Sequence, residues 1–80
     1  MTIQLLFFGI TTDLVGNSSA TFTLPEACSV ALFKVLLIEK YPQLQNNSSF
    51  AIAVNESYAT ENEVIKEGDI VAIIPPVSGG

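Results

Sequence analysis

The sequence predicts an α+β domain in which one mixed β-sheet packs against one helix. Three observations carry that prediction. Strand-like runs stand near both ends of the chain, one long helical segment lies between them, and 80 residues leave room for a single domain.

Ile3–Gly9 is β-branched and aromatic and closes on glycine, the pattern of a strand. Thr11–Gly16 reads as a short turn or single helical turn, with Gly16-Asn17 supplying a bend. Ala20–Leu24 sets Phe22 and Leu24 against Thr21 and Thr23, so it is a second strand with one buried face, hairpinned to the first.

Pro25 stops that strand. Ser29 is placed as an N-cap, and Val30–Lys40 has helix length and composition before Tyr41-Pro42 closes it. Val30, Phe33, Leu37 and Tyr41 share one helical face and should cover the sheet. Leu32, Val35, Leu36 and Ile38 lie elsewhere around the helix, where charge would be usual. Two readings stand for them: a thick core with a few exposed aliphatics, or a second interface for self-association.

Gln43–Ser49 reads as a polar loop. In Phe50–Val54, Phe50, Ile52 and Val54 alternate with Ala51 and Ala53, giving one bulky and one small face. Asn55 suits a tight turn into a short edge strand at Ser57–Thr60. Glu61–Glu67 reads as a polar connection, and Gly68-Asp69 turns into a last strand at Ile70–Ile74. Pro75 and Pro76 end it, because proline cannot donate to a ladder.

The order is β-β-α-β-β-β. Strongly apolar first and last strands suit central, parallel positions joined through a right-handed crossover. That is the layout of a β-grasp, or ubiquitin-like, domain: a sheet of about four to five strands on one helix. The domain spans residues 1–74, and 75–80 form a flexible C-terminal tail.

Composition limits function. Apolar residues make up 49% of the chain, more than one small core hides, so part should remain on the surface as a binding face. Net charge is −5 with Lys34, Lys40 and Lys66 as the only cations, which argues against nucleic-acid binding. The acids crowd late in the chain (Glu56, Glu61, Glu63, Glu67, Asp69), as a solubilising face or as steering toward a basic partner. No basic stretch precedes Leu5–Ile10 and no apolar run is long enough to span a bilayer, so the expectation is a cytoplasmic protein without membrane attachment.

Side-chain catalysis is not expected. Histidine is absent, which removes the usual base near neutral pH and the commonest metal ligand. The single Cys28 has no activating neighbour in sequence and reads as a small core filler. No metal-ligating cluster and no Gly-rich phosphate loop with Lys and Ser/Thr is present, so no bound cofactor is expected.

The tail is the chemically distinctive part. Pro75-Pro76 favour an extended, stiff backbone that carries Val77 and Ser78 away from the domain. Gly79 and Gly80 carry no Cβ, so the end fits a slot too narrow for other residues. A stiff base and a bare tip describe a probe for another protein's active site, with the Gly80 carboxylate as the reactive group.

Ile70–Gly80, preceded by Glu67-Gly68-Asp69, resembles the C-terminal signature of the molybdopterin synthase small subunits, the sulfur-carrier family often called MoaD. Leu5-Leu6-Phe7-Phe8-Gly9, Leu14-Val15-Gly16, Tyr41-Pro42 and Ala53-Val54-Asn55 extend the likeness along the chain. The resemblance implies that a ubiquitin-activating-type adenylyltransferase uses ATP to adenylate the terminal glycine, and that sulfur then replaces AMP to leave a thiocarboxylate. It implies that the tail enters the large synthase subunit, expected as a heterotetramer, and donates sulfur to cyclic pyranopterin monophosphate. The chain would then be a consumed and recharged co-substrate, not an enzyme alone. By position, Phe8 and Ile74 correspond to the family's apolar contact with the large subunit. Some members have an aromatic residue in place of Ile74, and many have Arg-Glu in place of Thr12-Asp13. The rival readings are a carrier for thiamine or tRNA thiolation, a protein modifier joined through Gly80, and a plain interaction module.

Overall fold

The computed structural model describes residues 1–47 and 50–75. Among them, strand β1 (Thr2–Phe7) leads into a short helix α1 (Ile10–Val15) and strand β2 (Ser19–Thr23). A two-residue strand β3 (Cys28–Ser29) then precedes the main helix α2 (Val30–Lys40). A 3₁₀ helix (Pro42–Asn47) and strands β4 (Ala51–Val54), β5 (Ser57–Tyr58), β6 (Val64–Ile65) and β7 (Ile70–Ile74) follow.

The main sheet runs β2-β1-β7-β4-β5, with β1 and β7 parallel and the other neighbours antiparallel. The apolar first and last strands thus lie side by side at its centre, and α2 packs across one face. This is the β-grasp fold. Alternation decides which side chains meet the helix: Ile3, Leu5 and Phe7 of β1 and Val71 and Ile73 of β7 are buried. Ile52 and Val54 of β4 join them, with Phe50 and Phe22 completing the layer. From the helix side come Val30, Phe33 and Leu37. Two edge-to-face contacts lock the layers, Phe22 on Phe33 and Phe7 on Tyr41, each with ring centroids 5.6 Å apart.

The helix forms where its caps allow. The Ser29 hydroxyl accepts from the Leu32 N–H at 3.2 Å. The N–H groups of Val30 and Ala31, which no helical carbonyl can reach, donate to the Glu63 and Glu61 carbonyls. Leu36 and Ile38 are half-buried against the core, while Leu32 and Val35 stand exposed. The apolar surplus of α2 therefore divides between a thickened core and a small exposed pair.

Several predicted bounds are corrected. The first strand ends at Phe7, because Gly9 takes φ 55°, ψ −135° and turns the chain into α1. The expected polar loop at 43–49 begins as a 3₁₀ helix that sinks Leu44 completely into the core. One leucine in a polar run carries no periodic signal, yet its burial is worth about 2 kcal/mol. The expected connection at 61–67 contains β6, which pairs with β3 through Cys28↔Ile65 and Ser29↔Val64. Ile65 is fully buried there between exposed neighbours. The edge strand at 57 stops at Tyr58 rather than Thr60.

Candidate functional site: an apolar concavity at the root of the tail

Helix α2 covers one face of the sheet, and the chain leaves the centre of the other apolar. Strand alternation sends Leu6 of β1, Ile70, Ala72 and Ile74 of β7, and Ala53 of β4 outward. Register then aligns them. Leu6 is opposite Ala72, Ala72 opposite Ala53, and Ala53 opposite Tyr58, so one row crosses four strands. Small residues at the middle of that row leave a hollow of about 330 Å³, walled by Leu6, Phe8, Tyr58, Ile70 and Ile74, with Glu56 at its rim. An outward sheet face is ordinarily polar, as on β2, where Ser19, Thr21 and Thr23 are exposed. Phe8 and Ile70 are instead 48% and 45% exposed beside Ala53 and Ala72. Adjoining exposed apolar side chains of this kind make the face a candidate contact surface.

The hollow adjoins the point where the chain leaves the sheet. Phe8 N–H donates to the Ile73 carbonyl at 3.2 Å and to the Thr11 hydroxyl at 3.0 Å. Thr11 is fully buried; its Oγ1 bonds the Phe8 carbonyl and lies 3.4 Å from the Ile73 carbonyl, and Thr12 Oγ1 donates to the Phe7 carbonyl at 2.9 Å. The ends of β1 and β7 are thereby tied to α1. Pro75 then seats on Gly9, whose missing Cβ would otherwise stand 2.9 Å from the proline Cγ. A side chain at Gly9 would force Pro75 to shift.

Of the residues singled out from sequence, Phe8 and Ile74 are brought together on one wall of the hollow, beside Pro75. Pro76, Val77, Ser78, Gly79 and Gly80 lie outside the described residues. Sequence reasoning missed Leu6, Tyr58, Ile70, Gly9 and Thr11. Leu6 and Ile70 were signalled by alternation, which puts them on the faces of Phe8 and Ile74. The small face at Ala51 and Ala53 was also visible, but its place opposite Ala72 needed the register.

Other chemistry-bearing groups have structural duties. Burial pushes the Cys28 thiol up from its usual range, with the negative charge of Glu26 adding to the effect, so it is protonated at neutral pH and a poor nucleophile. Asp69 accepts from Lys66 N–H at 2.8 Å and from Asn55 Nδ2 at 3.0 Å, holding the turn into β7. Glu67 accepts from Thr2 N–H at 2.9 Å. Lys34 and Glu61 stand 3.6 Å apart on the surface, a pair that contributes little. Among the described residues no three metal-ligating side chains converge, and no helix is long and apolar enough to cross a membrane.

Residues 5–80 match the model of the ThiS family. The chain is 33% identical to the molybdopterin synthase sulfur carrier subunit of Arabidopsis thaliana, over 98% of this chain and 82% of that one. It is 32% identical to the protein of the same name from Chlamydomonas reinhardtii, over all of both chains. Among solved structures, SAMP1 of Haloferax volcanii superposes with a TM-score of 0.85 over all of both chains, at 20% identity. At that identity the likeness is one of fold.

Proposed function

The chain belongs to the ThiS family, and from that premise we propose that it is the sulfur carrier subunit of a molybdopterin synthase. The observation that carries this reading is the apolar hollow at the root of the tail. It offers a docking surface to the large synthase subunit at the place from which Pro75 launches the last residues. Phe8 and Ile74 supply the contact, and Pro75, Pro76, Val77, Ser78 and Gly79 deliver the Gly80 carboxylate into the partner's active site.

The chemistry divides between partners accordingly. A carboxylate is a poor electrophile, so a ubiquitin-activating-type adenylyltransferase joins it to the AMP of ATP with loss of pyrophosphate. A sulfur donor then displaces AMP and leaves a thiocarboxylate on Gly80. Sulfur so held is nucleophilic without help from any side chain of the carrier. That agrees with a chain whose cysteine is buried and whose Glu67 and Asp69 carboxylates hold a strand end and a turn. In the large subunit, the sulfur attacks cyclic pyranopterin monophosphate and displaces an oxygen substituent, which joins Gly80 to the pterin as a thioester. Water then cleaves the acyl–sulfur bond, leaving the sulfur on the pterin and restoring the carboxylate of the carrier. The carrier binds no cofactor, does no chemistry alone, works in the cytoplasm and assembles with the large subunit as a heterotetramer.

The test is reconstitution. Thiocarboxylated carrier, the cognate large subunit and cyclic pyranopterin monophosphate should together yield molybdopterin, followed by mass spectrometry. Transfer to a thiamine thiazole or tRNA acceptor system, with none to the pterin, would assign the carrier to one of those pathways instead.

A further inference from the structure

Glu56 is the one charged side chain lining the apolar hollow among the described residues. We propose that it is a specificity-determining residue: it receives a lysine or arginine of the large subunit when the hollow is covered, and so sets the partner's register and its rate of capture. The proposal rests on the docking reading above and adds to it the chemistry that the partner must present.

Two observations support it. The first is backbone placement. Asn55 and Glu56 form the two-residue loop between β4 and β5, with φ of 50° and 73°. Such loops favour Asn followed by Gly, because both positions need positive φ. Asn55 fits that preference. Glutamate at the second position is held where a side chain is disfavoured, and conformations of this kind persist where function requires them. The second is rigidity. Asn55 Oδ1 accepts from Ile70 N–H at 2.9 Å, its Nδ2 donates to Asp69 Oδ1 at 3.0 Å, and its own N–H donates to the Ile70 carbonyl at 2.8 Å. The loop is thus fastened to the start of β7, and the Glu56 backbone keeps a fixed place at the rim of the hollow. With a net charge of −5 on the chain, the surrounding field also favours a cationic partner surface.

A rim carboxylate acts mainly through long-range attraction, so salt dependence is its signature. The affinity of the cognate large subunit should be measured by calorimetry for the parent chain, Glu56→Gln, Glu56→Lys and Glu56→Gly. Two salt concentrations suffice, about 0.1 M and about 1 M, between which the screening length falls from roughly 10 to 3 Å. At the lower salt, Glu56→Gln should weaken docking about two- to fivefold, and Glu56→Lys about tenfold or more. At the higher salt all should converge. Glu56→Gly should lose affinity like Glu56→Gln while its thermal midpoint does not fall, which separates charge from folding. Equal affinities for all four chains at both salts would overturn the role of Glu56. If Phe8→Asp, measured alongside them, weakens docking about a hundredfold, the docking reading survives without it; if no variant matters, or the parent chain does not bind, both fall.

Discussion

Phe8→Asp is expected to weaken docking to the large subunit by about 3 kcal/mol, roughly a hundredfold in Kd, while the fold remains intact. The substitution removes a large apolar wall of the hollow and puts a charge where the partner would have to strip its water. Stability should change little. The Phe8 ring points outward, half exposed, and only its backbone joins the bonds to Ile73 and Thr11. Calorimetry with the large subunit measures the first effect, and thermal unfolding measures the second. Unchanged affinity would remove Phe8 from the interface and with it the proposed use of the hollow. A collapsed thermal midpoint would mean that the ring supports the fold, contrary to its exposure.

Adding one alanine after Gly80 is expected to abolish sulfur transfer without harming docking. One residue displaces the terminal carboxylate by up to about 3.5 Å and adds a Cβ where the proposed delivery of the tail relies on bare glycine. Misplacement by about 1 Å can already cost a hundredfold in rate, so turnover should fall below detection. The hollow is untouched, and Kd for the large subunit should stay within about threefold. Molybdopterin formation at saturating large subunit separates the two effects. Normal turnover by the extended chain would show that the terminal carboxylate does not carry the sulfur.

The sequence made some parts of this molecule legible because they are local. Val30–Lys40 was bounded correctly since Ser29 and Tyr41-Pro42 act within a turn of the helix they limit. Gly68-Asp69 announced β7 for the same reason, and its apolar length suited the central place that it occupies beside β1. The pair β3 and β6 escaped notice because two residues cannot display a period, and Ile65 sits amid Glu61, Glu63, Lys66 and Glu67. Leu44 was lost in a polar run for a similar reason.

The candidate site shows the same divide. Phe8 and Ile74 were placed together through the resemblance and the expected pairing of the first and last strands. The hollow itself depends on Ala53 meeting Ala72 across a strand boundary, and alternation within one strand says nothing of register between two. The seat of Pro75 on Gly9 joins residues from opposite ends of the chain, so no local pattern could announce it. Glu56 looked like one acid among several. Its positive φ and its position on the rim set it apart only in three dimensions.

Sulfur carriage by this chain rests on what the Gly80 carboxylate becomes. The most direct measurement is the intact mass of the purified chain after incubation with ATP, a sulfur donor and the cognate activating enzyme. A gain equal to the exchange of one oxygen for one sulfur is expected, and it disappears when Gly80 is deleted. An unchanged mass, with an activating enzyme that demonstrably loads another carrier, would rule out Gly80 as the site of sulfur loading.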